Sequence, residues 1–220
     1  MLKIKVCGMK DPDGIAAVSA LHPDFMGFIF YPPSRRYIQP GDEKVREAIL
    51  NIPEGIIKTG VFVNAEFSTI KQSVEKYCLN AVQLHADETP DFCEKVKGLK
   101  VKVIKSFSVA ENFDFQQLED YIWVSDYFLF DTFTPAYGGS GKQFNWEILN
   151  RYPFEQSFIL SGGIGPEDAG KLRHLSFPWP DVIDINSRFE MSPGQKDVRK
   201  VSAFIEKIRE HEVRSMRYEV

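Results

Sequence analysis

The chain of 220 residues carries a net charge of −4, so it has no overall positive field that would attract nucleic acid. Its three cysteines are an odd number without metal-ligand spacing, which argues against a disulfide framework and indicates a reducing, cytoplasmic compartment. No apolar run approaches the roughly 18 residues of a membrane-spanning helix, so no membrane partner is expected either.

Short β-type runs alternate with segments of helical period along the whole chain. We predict strands at Lys3–Cys7, Phe25–Phe30, Lys58–Val63, Ala81–His85, Val101–Phe107, Tyr127–Asp131, Ser157–Ser161 and Val182–Asn186. The predicted helices are Pro12–Leu21, Glu43–Leu50, Ser68–Tyr77, Asp91–Lys97, Pro166–Leu175 and a last helix from near Gln195 to about Glu210. No linker divides the chain, so residues 1–220 are predicted to form one domain, with 211–220 as a peripheral tail.

The order of these elements predicts the fold class. Strands that alternate with helices pair in parallel through right-handed crossovers, and eight such units are the count of a (β/α)8 TIM barrel. A doubly wound open sheet is the alternative, but it has five or six strands and a glycine-rich first turn. The first turn here, Cys7-Gly8-Met9-Lys10, has one glycine. We therefore predict an α/β fold, a single (β/α)8 barrel.

Polar side chains recur at the predicted strand ends, where a barrel places its functional groups. These are Cys7, His85, Asp131, Ser161 and Asp184. Each one alone could cap the next helix or bond within a loop, but five around one rim indicate a site. No metal is predicted, because no second His or carboxylate stands at ligand spacing from His85.

The loop Ser161–Asp168, of sequence SGGIGPED, is typical of an anion site. Gly162 and Gly163 permit close approach of the backbone, and a turn that leads into a helix offers free N–H groups. The loop follows the seventh predicted strand, and barrels often bind phosphate between the loops after strands seven and eight. Asn186 and Ser187 could complete that cradle. A simple strand-to-helix turn remains the alternative.

Two other loops invite a functional interpretation. The pair Arg35-Arg36 suits a carboxylate or phosphate, although it could equally be a solvated basic turn. Gly138–Lys142 contains Gly-Lys, but a P-loop would require glycine at the position of Ala136 and Ser or Thr at that of Gln143. We predict instead a glycine-rich loop that closes over a substrate.

Cys7 and Asp131 are the candidate base and acid. A thiol with a reference pKa near 8.5 needs only a modest depression to act as a base at neutral pH. Asp131 stays protonated only in apolar or anionic surroundings, which the run Tyr127–Phe130 could provide. Taken alone, Cys7 fits an inert residue at a strand end better than a reactive thiol.

The motifs together resemble the phosphoribosylanthranilate isomerase family of tryptophan biosynthesis. The resemblance covers nearly the whole chain and is carried, in order, by Lys5–Gly8, Gly27–Tyr31, Ser34–Tyr37, Gln83–His85, Asp131 with Gly138–Lys142, Ser161–Ile164, Asp184 with Ser187, and Pro193–Asp197. It implies a (β/α)8 barrel, a phosphorylated small-molecule substrate, and neither metal nor other cofactor. The expected assembly is a monomer or a homodimer.

The family's reaction is an Amadori rearrangement of N-(5-phosphoribosyl)anthranilate to 1-(2-carboxyphenylamino)-1-deoxyribulose 5-phosphate. By match to the family, Asp131 would be the general acid that opens the ribose ring and Cys7 the general base that removes the C2 proton. Arg36 would face the anthranilate carboxylate. The resemblance further implies substrate contacts from His85, Gly141 and Asp184, and phosphate contacts from Gly162, Gly163, Asn186 and Ser187.

Two positions depart from the family pattern. Ala86 stands where glycine commonly follows Gln-Leu-His, and Arg188 stands where the eighth loop usually has glycine. We expect Arg188 either to point outward or to touch the phosphate. Two alternatives stay open: another phosphate-binding barrel, such as an epimerase or an indole-glycerol-phosphate synthase with Lys105 as its acid, and an inactive barrel that serves as a binding module.

Overall fold

The computed structural model of the chain describes residues 2–132, 143–172, 175 and 180–215; for 211–215 only the backbone is described. Eight parallel strands close into a barrel in the order β1 to β8. Their bounds are Lys3–Val6, Phe25–Ile29, Ile57–Phe62, Ala81–Leu84, Lys102–Val109, Tyr127–Thr132, Phe158–Leu160 and Val182–Ile185. The predicted (β/α)8 class is confirmed, and all eight strands lie within one or two residues of their predicted bounds.

The crossover elements differ more from the prediction than the strands do. The α-helices are α1 Pro12–Ser19, α2 Glu43–Leu50, α3 Phe67–Tyr77, α4 Pro90–Lys97, α5 Ala169–Leu172 and α6 Val198–Ser215. The crossovers after β5 and β6 contain the 3₁₀ helices Phe115–Tyr121 and Trp146–Arg151. No helix in the described residues is long and apolar enough to cross a membrane.

The last helix begins later than predicted. Gln195–Lys196 forms β10, which pairs antiparallel with β9, Glu190–Ser192. The segment assigned to the start of a helix is therefore a hairpin arm, and α6 begins at Val198. The helix then continues to Ser215, five residues beyond the predicted end near Glu210.

Side chains that point into the barrel form two zones. The lower zone is apolar and includes Phe25, Ala81, Ile104, Tyr127, Leu129, Ile159 and Val182. Successive residues of a strand alternate between the interior and the helices. Lys5 therefore points inward above this zone. Its register partner is Asp184, at the place where β1 and β8 close the barrel. The barrel interior changes from apolar to ionic directly below the carboxyl ends of the strands.

Candidate active site

One cavity opens at the carboxyl ends of the barrel strands. It is lined by eight of the predicted site residues, namely Cys7, His85, Asp131, Gly162, Gly163, Asp184, Asn186 and Ser187. Apolar side chains from Ile29, Val61 and Ile164 complete part of the wall. The barrel thus brings together residues that lie up to 180 positions apart in the sequence, as a ring of parallel strands requires.

Cys7 lies immediately after β1, and Gly8 makes the turn that follows it. Gly8 has a φ of +72°, and a Cβ atom there would lie 2.6 Å from both Arg36 Cδ and Asn186 Oδ1. Only glycine meets both conditions without strain. The Cys7 thiol is 4% exposed, and burial raises its pKa against the opposing effect of the Lys5 ammonium.

Asp131 lies near the end of β6 and faces His85 at the end of β4. Asp131 Oδ2 is 3.6 Å from His85 Nε2, and the two side chains are 23% and 19% exposed. Burial raises the pKa of Asp131 to about 6, and it lowers that of His85 to about 4 with help from the Lys5 and Lys105 ammonium groups. At neutral pH His85 is therefore uncharged.

Two polar neighbours hold one nitrogen of the His85 ring. Gln83 Nε2 and Ser106 Oγ each lie 2.9 Å from His85 Nδ1. These contacts tie Nδ1 to β4 and β5, and they leave Nε2 facing Asp131. Gln83 Oε1 is buried and accepts no hydrogen bond within the described part of the chain.

The loops after β7 and β8 present backbone N–H groups to the cavity. Gly162 has a φ of +92°, and a Cβ atom there would lie 2.7 Å from Thr132 N. The N–H groups of Gly163, Ile164 and Ser187 donate to no acceptor within the described residues. Such a group of free N–H donors is a typical anion-binding concavity.

Arg36 is held by an ion pair behind the Gly8 turn. Its Nε and Nη2 donate to the Glu190 carboxylate at 2.6–3.1 Å, and the two side chains are 12% and 5% exposed. Lys196 Nζ lies 2.7 Å from Glu190 Oε1 and 2.7 Å from Asn186 Oδ1. The β9–β10 hairpin therefore connects the Arg36 side chain to the loop after β8.

Comparisons with known proteins agree on the family. A sequence profile of N-(5'-phosphoribosyl)anthranilate (PRA) isomerase matches residues 4–207. N-(5'-phosphoribosyl)anthranilate isomerase of Parabacteroides distasonis is 42% identical over 207 residues, which are 93% of this chain and 92% of that protein. The chain belongs to the N-(5'-phosphoribosyl)anthranilate isomerase family.

Solved structures of phosphoribosylanthranilate isomerases match the barrel as well. One, in complex with reduced 1-(o-carboxyphenylamino)-1-deoxyribulose 5-phosphate, has a TM-score of 0.79 at 29% identity, over 96% of this chain and 100% of the other. Another, with the same score, identity and coverage, is of monomers generated from the dimeric enzyme of Thermotoga maritima. The fold, the family and the isomerase class predicted from the sequence are therefore confirmed.

The two departures from the isomerase family pattern have different surroundings. Ala86 contributes its backbone, since its N–H donates to Glu88 and its carbonyl accepts from Lys105. Arg188 pairs with Glu167 and donates to Gly163 O at 3.2 Å. We expected Arg188 either to point outward or to touch the phosphate, and neither describes it fully. Its side chain is 38% exposed, yet it connects the loop after β8 to the loop after β7.

Lys105 does not fit the acid of a synthase in this barrel. It points away from the interior, is 2% exposed and lies 3.3 Å from Glu88. The next residue along β5, Ser106, is the one that faces the cavity. Because an outward lysine cannot reach a substrate in the mouth, the structure favours the isomerase interpretation over this alternative.

Sequence reasoning overlooked several residues of this isomerase-family site, namely Lys5, Gln83, Ser106, Glu190 and Lys196. A signal was available for Lys5, which shares the inward face of β1 with Cys7 two positions later. Gly141 and the loop Gly138–Lys142 lie outside the described residues. Within the described residues, no group of three or more His, Cys, Asp or Glu side chains is arranged to hold a metal ion.

Proposed function

We propose that the cavity at the carboxyl end of the barrel isomerises N-(5-phosphoribosyl)anthranilate, with Asp131 as the general acid and Cys7 as the general base. One observation carries this assignment. Cys7 and Asp131 line the same cavity as a set of free backbone N–H groups suited to a phosphate. A substrate with a phosphate at one end and a reacting C1–C2 unit at the other fits that arrangement.

The acid acts first. The raised pKa of Asp131, about 6, leaves part of its population protonated near neutral pH, as proton donation to the ribose ring oxygen requires. The C–O bond then breaks, and the electron pair of the anilino nitrogen forms the C1=N iminium. Asp131 is left as a carboxylate, which His85 Nε2 faces at 3.6 Å.

The base acts second. The iminium makes the C2–H bond acidic, and the Cys7 thiolate takes that proton. The electrons of the C–H bond form the C1=C2 bond, and the nitrogen recovers its electron pair. The resulting enolamine tautomerises to the ketone by protonation at C1 and loss of the proton from the C2 hydroxyl.

The other contacts position the substrate. We assign the phosphate to the loop of Gly162 and Gly163 and to the loop of Asn186 and Ser187, since an anion satisfies the N–H donors of Gly163 and Ser187, which lack an acceptor within the described residues. Fixing the phosphate supplies remote binding energy for the reacting end. Gln83 Oε1, buried and without a donor in the described residues, is suited to accept from a substrate hydroxyl.

Arg36 is assigned to the anthranilate carboxylate. Its Nη1 donates to no acceptor within the described residues, while Glu190 occupies Nε and Nη2. A second bond from Nη1 would join the substrate carboxylate to a guanidinium that is already fixed in position. Arginine suits this role because its planar fork can serve two carboxylates at once.

The test is a fluorescence assay of phosphoribosylanthranilate consumption, run with and without EDTA. We expect the purified chain to consume the substrate equally under both conditions. Absence of consumption by folded protein would overturn the proposal and favour an inactive binding module. Loss of activity on EDTA treatment would favour a metal-using barrel with another chemistry.

A further inference from the structure

A fully buried lysine lies next to the proposed base. Lys5 is 0% exposed, and its Nζ lies 3.0 Å from Asp184 Oδ1. Asp184 Oδ2 in turn accepts from Ser161 Oγ at 3.2 Å. A buried ammonium loses its hydration, so it persists inside a barrel only when groups around it favour the charged form.

Cys7 is the neighbour of that ammonium on the same strand face. Lys5 and Cys7 are two residues apart on one strand, so their side chains share the inward face of the barrel. The Asp184 carboxylate, 3.0 Å from Lys5 Nζ, and the negative charge of a Cys7 thiolate both favour the ammonium form of Lys5. Together they outweigh burial, which alone would lower the pKa of Lys5, and they raise it above its ordinary value.

Burial opposes a thiolate at this position, so the base requires a local cation. The charged groups that face Cys7 come from four elements of the structure: Lys5 from β1, Arg36 from the segment after β2, Asp184 from β8 and Lys196 from β10. Arg36 and Lys196 both pair with Glu190, whose single negative charge offsets one of their two positive charges. Lys5 is the cation that shares the inward face of β1 with Cys7, and its charge opposes the rise in the pKa of the thiol.

We propose that Lys5 is a positioning residue for Cys7, whose thiolate it holds and stabilises beneath the substrate. The inference rests on the proposed role of Cys7 as the base. In the proton-transfer step the C2–H bond breaks and an S–H bond forms at Cys7, while Lys5 keeps its own proton throughout. Asp184 fixes Lys5 Nζ at 3.0 Å, on the inward face of the barrel that Cys7 shares.

A merely structural role for Lys5 would be to neutralise Asp184 and nothing more. The two roles differ in what they do to the thiol. If Lys5 only neutralises Asp184, replacing both members of the pair leaves the pKa of Cys7 unchanged, because burial and the remaining charges still set it. If Lys5 stabilises the thiolate, its loss raises the pH at which Cys7 ionises.

The experiment measures that ionisation without any substrate. The rate of alkylation of Cys7 by iodoacetamide is followed against pH by mass spectrometry, in a background with Cys78→Ser and Cys93→Ala. Four proteins are compared: the background, Lys5→Met, Asp184→Asn, and the double variant Lys5→Met/Asp184→Asn. The double variant leaves no unpaired charge in the barrel, so it protects the test should Lys5→Met fail to fold.

We expect the alkylation midpoint to be about one pH unit or more higher in the double variant than in Asp184→Asn, which corresponds to roughly tenfold less thiolate. The midpoint of Asp184→Asn should lie below that of the background, because an opposing charge is gone. In profiles of kcat/KM against pH, Lys5→Met should move the alkaline limb to higher pH and lower the plateau by about tenfold.

Equal midpoints in the double variant and in Asp184→Asn would overturn the proposal, whatever happens to turnover. So would a Lys5→Met protein that folds and keeps both its midpoint and its plateau. Because alkylation needs no substrate, this failure is separable from failure of the base assignment, which Cys7→Ala tests in the activity assay.

Discussion

His85 Nε2 lies 3.6 Å from Asp131 Oδ2, and the two groups are perturbed in opposite directions by the same desolvation. Burial disfavours the charged form of each, so it lowers the pKa of the imidazole to about 4 and raises that of the carboxyl to about 6. The imidazole is thus neutral beside Asp131 and is not its counter-ion. Because burial shifts both pKa values, the pH dependence of the free energy of unfolding tests these protonation states.

The pH dependence of stability should separate the two groups. His85 has a folded pKa below its unfolded value, so its contribution is present above about pH 6.5 and is lost as pH falls toward 4. Asp131 has a folded pKa above its unfolded value of about 3.8, so its contribution is lost as pH rises from there toward 6. Between pH 4 and 6 the two contributions oppose each other.

Urea unfolding of His85→Asn and Asp131→Asn at pH 4 to 6.5 measures this. Relative to the unsubstituted protein, the free energy of unfolding of Asp131→Asn should rise with pH across the window, and that of His85→Asn should fall. Difference curves that are flat for both variants would contradict the protonation states described here.

Substitution of the proposed acid and base should abolish turnover but not folding. We expect Asp131→Asn and Cys7→Ala each to reduce kcat by at least about a hundredfold, the usual scale for a general acid or base. The fluorescence assay gives the rate, and thermal unfolding gives the control for structure. Cys78→Ser should match the turnover of the parent, because Cys78 is exposed and does not lie at the carboxyl end of a strand. Near-normal turnover in either active-site variant would refute the assigned roles.

Glu190 should act on substrate affinity through Arg36. Replacement of Glu190 by Gln removes the charge that fixes the guanidinium, so we expect KM to rise by about tenfold, as it should for Arg36→Gln, with a smaller effect on kcat. Arg35→Gln is the matched control, because Arg35 is the exposed neighbour of the same turn. If Glu190→Gln left KM unchanged while Arg36→Gln raised it, Arg36 would not depend on this ion pair.

Arg188 should contribute little to phosphate recognition. Its guanidinium is engaged by Glu167 and by the carbonyl of Gly163, and exposed ion pairs contribute only about 0–1 kcal/mol to stability. We therefore expect Arg188→Ala to keep KM within about threefold and to leave inhibition by inorganic phosphate unchanged. A rise of tenfold or more in both KM and the inhibition constant of inorganic phosphate would instead indicate direct contact with the phosphate.

The prediction of the fold from sequence succeeded best for the strands. Strand alternation and turn residues are local, and β1 to β8 follow from them within two residues. The 3₁₀ helices Phe115–Tyr121 and Trp146–Arg151 were not predicted, because their buried residues recur every three positions and not with the 3.6-residue period of an α-helix. The hairpin of β9 and β10 was missed for a related reason, since a two-residue strand has no periodicity at all.

The sequence by itself determined the barrel class, the positions of Cys7 and Asp131 at strand ends, and the glycine loop that leaves N–H groups free. All of these depend on local pattern. Only the tertiary structure decided which charges meet. Lys5 and Asp184 are 179 residues apart and Arg36 and Glu190 are 154 apart, and both pairs form because barrel closure and the hairpin after β8 bring distant strand ends together. A one-dimensional pattern indicates which face a side chain occupies, but partner choice depends on closure of the ring.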